Sequence, residues 1–203
     1  MAQTVLAPNI PEEAVLQLHR YLWRPGCYAH RGWLISLGFI PKPGWQYGQW
    51  PQMDRYLNQT LRARRGTPRL PTQLNDRQRR IVRLAPKMTT FALAIGLLKL
   101  GCSDYLLLPD YRQVILRWLD DELIWQLFGL IRGKCRALFS PKELIANAIT
   151  MGNAVLHRAA QDDPVLYAVL ITLPPCERAL WPQVPTLAMN LLERTLCLNA
   201  EYR

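Results

Sequence analysis

Apolar positions recur every three or four residues along most of this chain, most densely between Lys87 and Gly133. From Tyr111 they fall at Tyr111, Val114, Ile115, Trp118 and Leu119, then at Leu123, Ile124, Leu127, Phe128 and Ile131. Steps of three and four put one wide stripe on one side of a helix. Burial of each large side chain there contributes roughly 1.5–3 kcal/mol, so the stripe is the predicted core. No residue in it looks catalytic.

The same period predicts the flanking elements. Pro11 opens a first helix, with Glu12 and Glu13 in its first turn and Val15, Leu16, Leu18, His19 and Leu22 on its apolar side. Arg24-Pro25-Gly26 ends it, because proline cannot continue a helix. Cys27 to Gly38 reads equally as a short helix or as extended chain. From Phe39 to Pro51, three prolines and two glycines exclude regular structure. Trp45, Tyr47 and Trp50 in that loop either fold back on the domain or form a partner surface.

A helix over 52–65 carries Met53, Tyr56, Leu57 and Leu61 on one face, with Gly66 just past its end. Another runs from about Asp76 to Leu84, with Asn75 as cap and Pro86 at its end. Ser140-Pro141-Lys142-Glu143 is a capping box that starts a long helix. Ala148 and Gly152 on that helix are small enough for a second helix to approach closely. Asp163-Pro164 opens a further helix and Pro174-Pro175 stops it. Pro185 begins the last one, with Leu187, Leu191, Leu192 and Leu196 inward. No β-branched run of period two appears. The reading is an all-α fold: a single irregular multi-helix domain over 1–203, with Pro-rich loops in its N-terminal third. Residues 1–70 hold the N-terminal helices and Pro/Trp-rich loops, and 71–203 the main helical core.

Composition adds limits. Hydrophobic residues make up 50% and charged residues 20%, an ordinary globular balance. The uncharged run between Lys87 and Lys99 is 11 residues, short of the ~20 a spanning helix needs. The first residues lack the basic and apolar regions of a secretory signal. A soluble protein is expected. The five cysteines stand singly, as free thiols of a reducing compartment would. Cys27 and His30 have metal-like spacing, but no second close pair completes a site, so no metal is expected.

Charge changes the picture more. The net charge is +10, and the segment from Arg55 to Lys87 holds ten basic residues against Asp76 alone. The positive field is therefore local, a candidate binding surface. An acidic protein partner, nucleic acid or an anionic membrane would each fit it, and so would a solvated face on two short helices. Nucleic acid is disfavoured: no finger or RNA-binding signature is present, and Tyr56 is the only aromatic in the segment.

Signs of catalysis are few. His19, His30 and His157 are far apart in sequence, and His157 reads as a packing residue. No phosphate-cradling glycine loop, nucleophile elbow or zinc-protease helix occurs. Asp120-Asp121-Glu122 and Asp162-Asp163 sit at helix starts, where acids cap the backbone and favour the dipole. The expectation is a non-enzyme without cofactors.

Two stretches carry a family resemblance. Leu22-Trp-Arg-Pro25-Gly-Cys-Tyr28-Ala-His30 resembles the N-terminal segment of the SctK group of type III secretion accessory proteins, YscK-like, with OrgA and MxiK as distant relatives. Leu97-Leu-Lys-Leu-Gly101, Tyr105-Leu-Leu-Leu-Pro109-Asp-Tyr111-Arg, and Ile124 to Gly133 are similar to that group's central helical region. Leu138-Phe-Ser-Pro141, Asp162-Asp163 and Leu173-Pro-Pro175 follow in similar order. The Trp-rich loop and the arginine segment are not part of the resemblance.

The resemblance implies a non-enzymatic cytoplasmic adaptor of the injectisome sorting platform, at the cytoplasmic face of the bacterial inner membrane. It would link the cytoplasmic domain of the inner-membrane ring protein SctD to the pod protein SctQ, and through SctQ to SctL and the ATPase SctN. On that reading Arg62, Arg64, Arg65, Arg79, Arg80 and Arg83 form one docking face, and Trp45, Tyr47 and Trp50 contribute to another. The alternative is a helical nucleic-acid-binding or regulatory protein that uses the same arginines on phosphates. An enzyme acting on an anionic substrate is a third class, and it needs a pocket with convergent polar groups.

Overall fold

The computed structural model describes residues 12–40, 44–131, 136–176 and 184–201. Along it run α1 (Glu13–Trp23), α2 (Pro25–Tyr28), α3 (Arg31–Ser36), α4 (Pro51–Arg65), α5 (Asp76–Leu84) and α6 (Met88–Leu100). Then follow α7 (Asp104–Leu107), α8 (Pro109–Ile115), α9 (Asp121–Leu130), α10 (Pro141–Ala159), α11 (Pro164–Val169) and α12 (Thr186–Glu201). No strand occurs among the described residues, and the fold is all-α.

The centre is the α6–α10 pair, in contact along its length. A β-carbon on Gly96 would lie 1.8 Å from the Ala148 carbonyl oxygen, and one on Gly152 would lie 1.7 Å from that of Ala92. The two backbones therefore touch, and the small residues at 148 and 152 receive the helix their size called for. α6 is buried on every side from Phe91 to Leu97. α5, a 3-10 turn over 85–87 and α6 follow one another with almost no break from Asp76 to Leu100. That stretch is long and apolar enough to cross a bilayer, contrary to the count between Lys87 and Lys99, which stopped at the flanking charges. Its most apolar window is 67% buried inside the protein, as a core helix is.

The central stripe is two helices. The chain breaks after α8, and Asp120 restarts it by accepting from the Leu123 N–H at 2.9 Å. Ile115, Leu119, Leu123, Ile124 and Leu127 are buried, but Trp118 and Phe128 are 45% and 37% exposed. A spacing counted across the break does not define one face. Within single helices the same excess occurs. Leu192 and Leu196 are buried on α12 while Leu187 and Leu191 are exposed, and on α4 Leu57 and Leu61 are buried while Met53 and Tyr56 are exposed.

α2 and α3 settle the open stretch after Arg24 as helical. Pro25 opens α2, Tyr28 packs edge-on against Tyr21 at 4.5 Å, and His30 Nδ1 caps α3 by accepting from Gly32 N–H at 3.0 Å. The His30 N–H donates to the Ile171 carbonyl at 2.9 Å, and Trp33 Nε1 donates to the Leu173 carbonyl at 2.8 Å. Tyr105 accepts from the N–H groups of Leu138 and Phe139 at 2.8 and 3.0 Å, while the Tyr111 hydroxyl donates to the Phe139 carbonyl at 2.9 Å. The residues that carry the resemblance are thus joints between distant parts of the chain. Both capping boxes form, Asn75 with Gln78 and Ser140 with Glu143. Pro11, Cys135 and the end of the central stretch at Gly133 lie outside the described residues.

Candidate functional site

The ten basic residues from Arg55 to Lys87 do not build one continuous positive surface. α4 and α5 both pack on α1, and each presents its own arginines. On α4, the Arg62 guanidinium lies 5.1 Å from the centre of the Trp23 ring, and Arg64 Nη1 donates to the Ser36 carbonyl at 2.8 Å. Arg65 turns inward between the rings of Tyr167 and Trp33, at 4.7 and 5.3 Å. Its Nη2 donates to the Tyr167 carbonyl, and the Tyr167 hydroxyl donates to the Arg65 carbonyl.

On α5, Arg79 is paired with Glu12 at 2.7 Å and with Asp76 at 2.9 Å. Hydrogen bonds to Glu12 and to Asp76 raise its pKa. Arg80 is half-buried with Nε unpaired, and Arg83 is exposed. Arg77, outside the proposed set, is the most committed: it bonds Asp163 at 2.9 Å, Glu193 at 3.1 Å and Asn190 at 3.2 Å. Burial alone would lower its pKa, but the two carboxylates outweigh burial and raise it. Glu193 is 1% exposed, and burial pushes its carboxyl up despite Arg77 and Arg80. This network joins α5, α11 and α12. Asp163 also caps α11, accepting from Val165 and Leu166 N–H at 3.0 Å.

The Trp-rich loop is pinned for most of its length. Trp45 packs on Phe39 at 5.2 Å between ring centres. Tyr47 accepts from Asn58 Nδ2 at 2.8 Å, and Gly48 N–H donates to Asp54 at 3.0 Å. Only Trp50 of the three aromatics is exposed, at 65%. Beside it lies a shallow groove of about 410 Å3 lined by Leu37, Phe39, Met53 and Tyr56.

Large apolar side chains left exposed between α7 and the end of α9 escaped the sequence reading. Leu107, Leu108, Leu116, Trp118, Trp125 and Phe128 are all exposed. Arg112 lies 5.2 Å over the Trp125 ring and pairs with Asp121 at 2.6 Å, and Trp125 meets Phe128 edge-on at 5.9 Å. Large apolar groups concentrated at a surface mark interaction sites. Asp120, read as a helix start, lies in mid-stripe and resets the helical phase, so a spacing counted across it does not hold. No three metal-ligating side chains come together among the described residues.

The model of a family described as type III secretion system subunit matches residues 16–175, and the chain belongs to that family. It is a component of the type III secretion apparatus. No curated protein and no solved structure matches it.

Proposed function

We propose that this subunit is a non-enzymatic adaptor of the sorting platform, of the SctK type, held at the cytoplasmic face of the inner membrane by protein contacts. It bridges the cytoplasmic domain of SctD and the pod protein SctQ, and through SctQ reaches SctL and the ATPase SctN. The observation that carries this reading is the exposure of Trp118, Trp125 and Phe128, the last two on α9, which packs on α6 and α12, while the arginine-bearing α4 packs on α1 and α2. An adaptor needs two faces of different character, and these are two. Arg62 and Arg64, beside Trp23 and Tyr56, contribute to the basic face; Arg79, Arg80 and Arg83 extend the positive field along α5. Trp50 at the start of α4 and the groove lined by Met53 and Tyr56 add an apolar surface of their own. Arg65 contributes through the cavity it lines, and Trp45 and Tyr47 support the loop from within.

The test is capture of partners from the native host on the tagged full chain, washed at about 0.15 M and then about 1 M salt, where screening shortens to roughly 3 Å. Ring and pod proteins are expected at low salt. Charge reversal at Arg62 and Arg64 should release one set, and Trp125→Ala with Phe128→Ala the other. Recovery of nucleic acid without those proteins would sink the adaptor and favour a phosphate-binding role.

A further inference from the structure

A cavity of about 720 Å3 opens between the end of α4, the C-terminal half of α10 and the start of α11. Arg65, Pro68, His157, Ala160, Pro164 and Tyr167 form its walls, and Asp162 lines it as well. Its volume lies within the roughly 300–1,000 Å3 of ligand pockets.

Arg65 is out of place unless something enters. Its guanidinium is largely buried, and burial pushes its pKa down. Arg77, Arg79 and Arg112 each have a carboxylate partner. Arg65 has two aromatic rings and one carbonyl, but no carboxylate among the described residues. Rings offset part of the cost of desolvating a cation, and a counter-charge offsets more. His157 lines the cavity as well, while its Nε2 has no exposed surface and no hydrogen-bond partner. Burial pushes the imidazole down to about 4, and the Arg65 charge adds to the effect.

We infer that this cavity receives a single carboxylate, carried on an acidic side chain of a partner protein, with Arg65 as its anchor and the His157 imidazole beside it on the wall. The guanidinium fork matches a carboxylate. Only one cation lines the cavity and Asp162 opposes it, so a monoanion fits better than a dianionic phosphate. The space far exceeds a bare ion, and proline and tyrosine walls suit the flanks of a peptide. The other groups facing the site are Tyr167 from α11 and Cys176 beyond it. A bound carboxylate supplies the counter-charge that an imidazolium at 157 lacks. His157 therefore takes a proton from solvent as the anion binds.

The partner's identity rests on the adaptor reading; the site does not. The chain has three histidines, so imidazole NMR resolves His157 in the intact protein. The probes are acetyl-Ala-Glu-Ala-amide, its Gln counterpart and inorganic phosphate. The Glu peptide should shift His157 saturably, about fivefold or more tightly at about pH 5.5 than at about pH 7.5. The Gln peptide should not, and phosphate should bind more weakly. Equal effects of the Glu and Gln peptides, or tighter binding of phosphate, would overturn the assignment without any variant. Arg65→Gln should abolish the shift and release one captured ring or pod protein from the chain. An unchanged set of captured proteins would show that no partner supplies the carboxylate. Failure of the adaptor reading would look different: neither ring nor pod protein on the unaltered chain, with the peptide result intact.

Discussion

The α6–α10 pair and the α4–α5 pair hold the protein together by opposite means. In the first, glycine at 96 and 152 lets two apolar helices meet at their backbones, and the contact is fixed by shape. In the second, arginines reach across α1 and α11 to whatever acceptor lies near: a carboxylate for Arg77 and Arg79, an indole for Arg62, a carbonyl for Arg64. A shape contact has one solution. A charge contact can be satisfied by several, and can be surrendered to a partner. The part of the molecule able to change partners is therefore the arginine flank.

Breaking the shape contact should have the largest effect. A side chain at Gly152 meets the Ala92 carbonyl at 1.7 Å, and neither backbone can yield by rotamer. Gly152→Val should cost more than about 5 kcal/mol, a large share of the 5–15 kcal/mol that holds a domain folded. Gly129 on α9 is the internal control, because nothing lies within 4 Å of its added β-carbon. Gly129→Ala should stabilise by about 0.5–1 kcal/mol through helix propensity. Urea unfolding of the two variants checks both signs. Equal effects would mean that α6 and α10 do not touch as described.

The charge contact at α5 comes next. Arg77→Leu leaves Glu193 buried and Asp163 without its cation, at a cost of about 3–5 kcal/mol. Adding Glu193→Leu should recover much of the loss, since two apolar groups need no compensation. A double variant no more stable than the single would show that Glu193 is not the group left stranded. The same unfolding measurement reads the result.

Much of the fold was legible because its signals are local. The capping box at Ser140, the caps at Asn75, Asp120 and Asp163, and the small residues at Ala148 and Gly152 were read from neighbours within four positions. Periodicity, however, names the residues that share a face and not the face that is covered. Leu187, Leu191, Met53 and Tyr56 follow helical spacing yet stay exposed, because no element among the described residues covers them. The candidate sites were less legible. A count of arginines cannot tell Arg65, buried against a tyrosine 102 residues away, from Arg83, which faces water. The groups that face Arg65 across the cavity are set by the packing of α10 and α11, and no local pattern announces them.

The smallest of the destabilising effects is also the one that probes the flank itself. The His157 imidazole is held down to about 4 by burial, with the Arg65 charge adding to it, against an ordinary value of 6.5. The unfolded chain thus takes up a proton at higher pH than the folded one. Stability is full above about pH 6.5 and falls as the pH drops towards 4, where the folded state also protonates. Between about pH 7 and pH 5 the loss from this one group is about 2 kcal/mol. His157→Gln should flatten that limb of the stability–pH curve in urea titrations while leaving other acid-sensitive groups in place. An acid limb of unchanged steepness would mean that position 157 carries no proton linkage, and that the Arg65 charge is not felt across the cavity. Saturation with an acidic peptide should act in the same direction as the substitution, because a carboxylate beside His157 lets the folded state take up the proton that the unfolded state already holds.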